Sequence, residues 1–589
     1  MKYTKQSLVA DAALVVLVTV VAYLPAFHNG FVVDDVFITN NRLIRAGDGL
    51  YRFWFTTEAQ DYYPLTWSFW WLQWRLWGTD PAGYHVVNVV LHAADAVLIG
   101  LVLRRLKIPG AWLAAMVFAL HPVNVATVAW ITEQKNTLSM LFSAAAVLLY
   151  LQFDEVARAI PIDPRSGPRS GRCWYTLSLL AFLLALLSKT AVVMLPVVLL
   201  GCVWWQRGRV RWPDFLRIVP FFALSVVLGL ATVWFQQEHV LKKLAGRADG
   251  FFTRLLTAGW VPWFYLSKAL VPVNLTFIYA KPDLSPARWP SYLPGVMLVI
   301  CFALFWHKRN SWGRPLLFGF GYFVVTLFPV LGFVDQSFYQ ITLVADHWQY
   351  YSIIGVIALG TAAWETSWRR MTPLRPDRTD WGRYVEPLAS MIVLVSLGTA
   401  TWMRAAIYKN QETLYRDNVA KNPAAWMAHY NLGLTLWREG RFEDAITSYK
   451  RAIHLKSDYT EVHNNFGVAL AATGNLDGAV AEFLEALRLF PGNAEAHNNL
   501  GLALARQGKV EPAITSYEQA LDLNPNYVTA HDNLAKALLQ QGRIQDAIKH
   551  YQRVVELQPD YPGARQNLWA ARQALKHPQQ LPCATIPAK

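Results

Sequence analysis

Asp34 and Asp35 stand side by side a few residues beyond the first long apolar stretch of the chain. Two adjacent carboxylates at the mouth of a membrane segment are costly unless they stay wet or meet a cation. A carboxylate so placed can take a proton from an incoming acceptor hydroxyl, so Asp34 or Asp35 is the candidate general base. The bland alternative is a helix cap or a solvated loop. Lys189 sits where two apolar runs meet, and a lysine at such a turn must face something polar or anchor the interface. His85, Asn88 and His92 follow one another at helical spacings of three and four, which puts them on one face. Polar contacts between helices explain that face as well as a ligand does.

The elements that must carry these residues are membrane helices. The chain has 589 residues, of which 54% are hydrophobic and 16% charged, with 26 Trp, as in a polytopic membrane protein. The net charge of +14 comes largely from Lys and Arg in short loops, so no nucleic-acid partner is expected. Runs able to span are 8–27, 86–103, 111–130, 137–153, 174–188, 190–205, 215–236, 291–306, 315–333, 351–365 and 385–403. Basic clusters after alternate runs (Arg104-Arg105, then Arg158 to Arg172, Arg207 to Arg211, Lys308-Arg309 and Arg369 to Arg383) fit eleven spans with a cytoplasmic amino terminus. Residues 252–271 are apolar too, but counting them as a span breaks that alternation; they read as an interfacial or re-entrant helix. Asp34, Asp35, His121, Lys189, Lys268, Tyr279 and Asp346 then fall on one, outer side. The start Met1-Lys2-Tyr3-Thr4-Lys5 before an apolar run reads as an uncleaved anchor. Cys173, Cys202, Cys301 and Cys583 have neither metal spacing nor a disulfide pattern.

After Arg404 the pattern changes, with 1–404 a membrane domain (outer loop 28–84), 405–425 a connector, 426–576 a repeat array with a capping helix, and 577–589 a tail. Gly433, Gly467 and Gly501 recur every 34 residues with Ala535 next; Ala445, Ala479, Ala513 and Ala547 form a second series, and Tyr449, Phe483, Tyr517 and Tyr551 a third. This is the tetratricopeptide pattern of paired helices, four repeats long. Asn431, Asn465, Asn499 and Asn533 recur in register, and an asparagine ladder on an inner groove can hold an extended peptide. His429, His463, His497 and His531 recur two residues earlier. Neighbouring repeats set such rings too far apart for one ion, so no metal is assigned.

The membrane half resembles the transmembrane-and-tetratricopeptide O-mannosyltransferases and their bacterial relatives. The resemblance rests on Phe31-Val32-Val33-Asp34-Asp35 with Asn40-Asn41, Tyr63-Pro64-Leu65-Thr66-Trp67, and the stretch from Gly83 to His92. It continues through Ala119-Leu120-His121-Pro122-Val123, Leu187-Ser188-Lys189, and Lys268 with Pro272-Val273-Asn274-Leu275 and Tyr279. It implies an all-α glycosyltransferase fold of the C type, a sugar donor carried on polyprenyl phosphate, and transfer outside the cytoplasm, with the family's acidic pair at Asp34 and Asp35. The chain departs from the family's His-Pro-x-His-x-Glu at Asn124 and Ala126, and has Asn136 and His347 where relatives carry Asp and Arg.

Transfer to a hydroxyl needs a base and a means of stabilising the departing lipid phosphate. Lys189 is the first choice for the phosphate; Lys268, Arg254 and His121 come second, and His85 and His92 are candidates for the carrier path. A divalent cation is left open. No phosphate-binding glycine loop, nucleophile elbow or zinc motif is present, which disfavours a nucleotide-sugar donor. The short length points to a bacterial inner membrane, with chamber and repeats in the periplasm and an acceptor protein held by the groove. The alternative is a non-catalytic scaffold whose repeats assemble envelope proteins, a reading favoured by the departures at Asn124 and Ala126.

Overall fold

A computed structural model describes residues 5–159, 169–239, 249–371 and 382–576. The expectations for Met1–Thr4, Arg165, Arg375, Arg378, Cys583 and the tail lie outside those residues. Among them every regular element is helical. The chain divides into two compact units, Met1–Asp417 and Asn418–Lys589.

In the first unit the long helices are α1 (Lys5–Ala22), α2 (Pro64–Trp77), α3 (Pro81–Arg105), α4 (Ala111–Leu120), α5 (Gln134–Ala159), α6 (Arg169–Ser188), α7 (Leu195–Arg207) and α8 (Trp212–His239). They continue as α9 (Phe251–Leu270), α10 (Leu293–His307), α11 (Gly313–Leu327), α12 (Ile353–Met371) and α13 (Gly382–Ile407), and the boundary between the units falls within α14 (Gln411–Lys421). Helix α3 shows how sequence sets the boundaries. Asp80 accepts the Ala82 N–H at 3.0 Å, Pro81 needs no hydrogen-bond partner in the first turn, and Arg104 and Arg105 face the negative end of the dipole. Its 25 residues give about 37 Å, enough to cross a bilayer. Among the described residues eight helices are long and apolar enough to span, and nine if one bent pair counts as one span. The apolar stretch Gln6–Ala22 of α1 is shorter.

The bent pair is the expected third span. It breaks by 48° between α4 and Pro122–Val128. Pro122 has no N–H, and side chains take over the freed backbone groups: His121 Nδ1 accepts from Val123 N at 3.4 Å and Asn124 donates to the Phe118 carbonyl at 2.8 Å. Helix α9 is unbroken, so the re-entrant alternative is dropped. Its start is held by Arg254 on Asp335 at 3.0 Å, its Trp263 donates to the Pro294 carbonyl at 2.9 Å, and the Ala269 carbonyl near its end meets His121 at 3.1 Å. Those partners belong to the ends of α11, α10 and α4 on one side of the bundle, so α9 lies along that end. A Cβ on Gly259 would meet Gly295 at 2.7 Å, which fixes a glycine where α9 and α10 touch.

The same end gathers the polar turns. Gly30 N bonds the Lys409 carbonyl at 2.9 Å, Asn29 bonds the Ala405 carbonyl at 2.9 Å, and Thr66 bonds the Ser188 carbonyl at 2.8 Å. The opposite end collects the basic loops. Trp205 donates to the Leu106 carbonyl at 2.9 Å, Arg105 pairs with Glu155 at 2.6 Å, and Arg207 pairs with Asp214 at 2.7 Å.

The second unit pairs α15 (Trp426–Arg438) with α16 (Phe442–Leu455), α17 (Thr460–Ala472) with α18 (Leu476–Leu489), α19 (Ala494–Arg506) with α20 (Val510–Leu523), and α21 (Val528–Gln540) with α22 (Ile544–Leu557). The cap is α23 (Ala564–Lys576). A Cβ on Gly433, Gly467 or Gly501 would sit 2.6–2.7 Å from the ring of Tyr449, Phe483 or Tyr517, so glycine and aromatic ring recur together. A further series escaped the sequence reading: Gly440, Gly474, Gly508 and Gly542 close the first helix of each pair with φ of +77 to +85°.

Candidate active site

The acidic pair divides. The backbone turns tightly at Val33, whose φ of +51° is strained for a β-branched residue. Asp34 and Asp35 are successive residues of the 3-10 turn Val33–Asp35, roughly a third of a turn apart, so their carboxylates point in different directions. Asp35 is fully buried; one oxygen accepts Val32 N at 2.9 Å and the other accepts Thr132 N at 2.8 Å. Burial raises its pKa to about 7, although both backbone N–H groups pull the other way. Asp35 is therefore a latch between the first outer loop and the turn before α5. The expectation that it serves as the base is corrected: both its oxygens are engaged and no solvent reaches it.

Asp34 faces a cavity of about 600 Å³ shared with Asp61, Glu133, Lys135, Lys189 and His347. Burial holds the Asp34 carboxyl above the ordinary range, with Lys135 opposing and Glu133 and Asp61 adding to the rise. Asp61, brought in just before the turn into α2, is raised by burial in the same way.

Glu133 organises the cations. It accepts from Lys135 at 2.9 Å, Lys189 at 3.4 Å and Asn136 at 2.6 Å, and the His347 ring lies 4.0 Å away. Tyr351 donates to Asn136 at 3.3 Å and walls the cavity. Lys189 occupies an extended link between α6 and α7, and burial lowers its pKa to about 8 against the pull of Glu133. Its neighbour Lys135 is the nearer cation to Asp34 in effect. Below this polar head the cavity continues between α8 and the segments 193–197 and 328–334. Phe222, Val226, Leu230 and Val233 form one wall, and Val193, Val197, Phe328 and Val330 the other.

The remaining candidates do not line this cavity. Lys268 donates to the Val273 carbonyl at 3.0 Å beside Tyr279. Arg254 is taken by Asp335 and the Phe333 carbonyl at 3.3 Å. His121 caps its turn. His85 is buried in α3, and His92 joins Tyr350 at 2.8 Å, whose hydroxyl donates to Asp95 at 2.8 Å, tying α3 to the segment before α12. None of these side chains reaches the cavity, and Lys268, Arg254, His121 and His92 are engaged by the contacts just named. Asp346 accepts from Tyr279 at 2.7 Å and pairs with Arg404 at 3.2 Å, and so fixes the residue next to His347.

Glu133, Lys135 and Asp61 were passed over in the sequence. The usable signal was Glu133-Gln134-Lys135, opposite charges in the opening turn of an apolar span. Asn124 and Ala126 are buried and line no part of the cavity. Among the described residues no group of three or more His, Cys, Asp or Glu is arranged to hold a metal ion.

In the repeats, Asn465 donates to Tyr430 at 2.8 Å, Asn499 to Asn464 at 3.0 Å and Asn533 to Asn498 at 3.0 Å. Three ladder amides thus spend a donor across the seam to the preceding repeat. Each ladder histidine meets the carbonyl six residues before it, at Pro423, Ser457, Pro491 and Pro525, at 3.0–3.1 Å. The histidines hold the turns between repeats.

Helices of spanning length and a polar chamber at one end make the first unit a multi-pass membrane protein, joined to a helical repeat array. The repeats match tetratricopeptide-repeat families over 426–448, 438–474, 464–527 and 507–562. Over 477 residues the chain is 23% identical to protein O-mannosyl-transferase F38B6.6 of Caenorhabditis elegans, covering 77% of this chain and 64% of the relative. Over 515 residues it is 24% identical to protein O-mannosyl-transferase TMTC4 of Homo sapiens, covering 73% and 64%. The resemblance in the membrane half and repeats thus extends to proteins bearing that name, and the chain spans just under two thirds of their length. Among solved structures, the crystal structure of MamA is 24% identical with a TM-score of 0.24, covering 25% of this chain and 86% of that one.

Proposed function

We propose that this protein is a membrane glycosyltransferase that moves a sugar from a polyprenyl-phosphate carrier to a protein hydroxyl. The observation that carries the reading is the cavity itself: carboxylates and two lysines at the head of an apolar groove. Along α8 the groove runs from Gln236 to Phe222, about 21 Å at the helical rise. Val226 and Leu230 are exposed, so a lipid chain can enter sideways from the bilayer.

Asp34 takes the proton from the acceptor hydroxyl as its oxygen bonds to the sugar's anomeric carbon. The bond from that carbon to the phosphate oxygen breaks, and the carrier leaves as a phosphate monoester. Its raised pKa makes Asp34 a stronger base than an exposed carboxylate. Lys135 and Lys189 stabilise the charge that grows on the leaving phosphate, in a site walled by apolar side chains. Glu133 keeps the two ammonium groups together before the donor arrives. The basic loops at the far end favour a chamber on the non-cytoplasmic side, in a bacterium the periplasm. The tetratricopeptide groove holds the acceptor polypeptide through amide oxygens and the uncommitted Asn431.

The test is mass spectrometry of exported proteins from cells carrying wild type, Asp34→Asn, or a deletion of the repeats. Loss of glycosylated peptides with Asp34→Asn, at normal protein level, is expected. Unchanged glycopeptides with Asp34→Asn, together with a phenotype lost only on repeat deletion, would establish the scaffold alternative.

A further inference from the structure

A second cavity, of about 540 Å³, lies in the core of the first unit between α3, α5, α7, α11 and α12. Its lining contains no charged side chain among the described residues; the polar groups are a few hydroxyls such as Ser143, Thr326 and Thr366. Water has too few partners there, and an empty apolar void of this size is heavily destabilising. Its lining therefore favours an apolar occupant.

The ends of the cavity say what. At one end Tyr351, Ala191 and Met194 are shared with the polar chamber, and the hydroxyl of Tyr351 is tied to Asn136, which closes that end. At the other end the lining residues Trp312, Pro315 and Ala363 are exposed, so the mouth opens among the basic loops. Trp205 also lines that mouth, and beside it the Arg314 guanidinium lies 5.5 Å over its ring, one nitrogen held by the Trp204 and Trp205 carbonyls and the other terminal nitrogen left for an anion. Tryptophan and arginine at one level mark the headgroup zone of a bilayer. Along α12 the cavity runs from Ile354 to Thr366, about 18 Å at the helical rise. One leaflet offers a chain roughly 15 Å of hydrocarbon depth.

We infer that this cavity is a phospholipid site: one acyl chain enters from the leaflet opposite the chamber, its phosphate stays by Trp312 and Arg314, and its end lies beneath Tyr351. The site is separate from the α8 groove, and the inference does not depend on transferase activity. The bound chain fills the core and supports the Tyr351–Asn136 wall of the chamber.

Native mass spectrometry of the full chain, purified in detergent, tests this. Wild type is expected to retain one phospholipid through detergent exchange, to lose several degrees of Tm on full delipidation, and to recover on adding back phosphatidylglycerol. Ala358→Phe puts a ring into the cavity and should abolish both the retained lipid and the Tm response; Val226→Trp, in the α8 groove, should abolish neither. A phospholipid bearing a photoreactive acyl chain should label residues 354–366 in wild type, a measurement that stands even where Ala358→Phe fails to fold. A chain that holds no lipid, equal retention by Ala358→Phe, labelling only elsewhere, or a retained prenyl phosphate in place of a phospholipid each overturns the inference.

Discussion

Asp35→Ala should destabilise the protein in acid and do so less as the pH approaches neutrality. The substitution removes the acceptor for two buried N–H groups, Val32 and Thr132. Each orphaned donor costs about 1–3 kcal/mol, so the low-pH loss is about 2–6 kcal/mol. Burial works in the opposite direction. The carboxyl titrates near 7 in the fold and near 3.8 when unfolded. Between those values the folded protein holds a proton that the unfolded chain has released, so wild-type stability is present below the lower value and declines as pH rises through the higher one. Three pH units at ~1.4 kcal/mol each remove about 4 kcal/mol of the wild-type advantage by neutrality. The assay is Tm of wild type and Asp35→Ala in detergent across pH 4.5–7.5, with Asp34→Asn as the comparison. The gap for Asp35→Ala should narrow steadily and flatten above about 7, while Asp34→Asn should leave Tm within a degree or two and abolish transfer. A gap that is constant or widens with pH would refute burial as the dominant influence on this carboxyl, and the absence of a gap at any pH would refute the latch assignment.

Three further outcomes are expected. Donor binding should weaken as pH rises past about 8, where Lys189 loses its proton, and Lys189→Arg should carry that limb beyond the measurable range; a titration of donor KM against pH checks both. Glu133→Gln leaves two largely buried lysines without their shared counter-charge and should cost about 3 kcal/mol, measured as loss of Tm and partly restored by inorganic phosphate. Gly501→Ala drives a methyl against Tyr517 and the Ala513 carbonyl and should cost about 1–3 kcal/mol, read as faster amide exchange confined to the third and fourth repeats.

The repeats were legible because their signal is periodic: a residue type recurring at one spacing needs no tertiary knowledge to interpret. The spans were legible for a related reason, since hydropathy is summed over many residues. The site was legible only as a region. Asp34 and Asp35 are chemically identical neighbours, and only the folded turn, which gives Asp35 to the Val32 and Thr132 N–H groups, decides that Asp34 faces the cavity. Glu133 and Lys135 resembled ordinary turn residues between two spans, because their importance comes from Lys189 and His347 arriving from elsewhere. Lys268, Arg254 and His121 were reasonable cations by position, yet carbonyls and Asp335 had claims on them that no local pattern reveals. The ladder histidines carried a visible period, but the carbonyls they hold became apparent only with the turns folded.

One bond recurs in the same sense at each repeat seam. Asn465, Asn499, Asn533 and Asn567 each donate to a side chain 35 positions earlier, on Tyr430, Asn464, Asn498 and Asp532. Because the donor never changes and the acceptor varies only among oxygens, the joints are interchangeable. Excising residues 494–527 would bring Asn533 opposite Asn464, the same junction with one storey removed. The array can therefore be lengthened or shortened by whole storeys without inventing a new joint, and the reach of its inner surface can change while the membrane domain stays as it is.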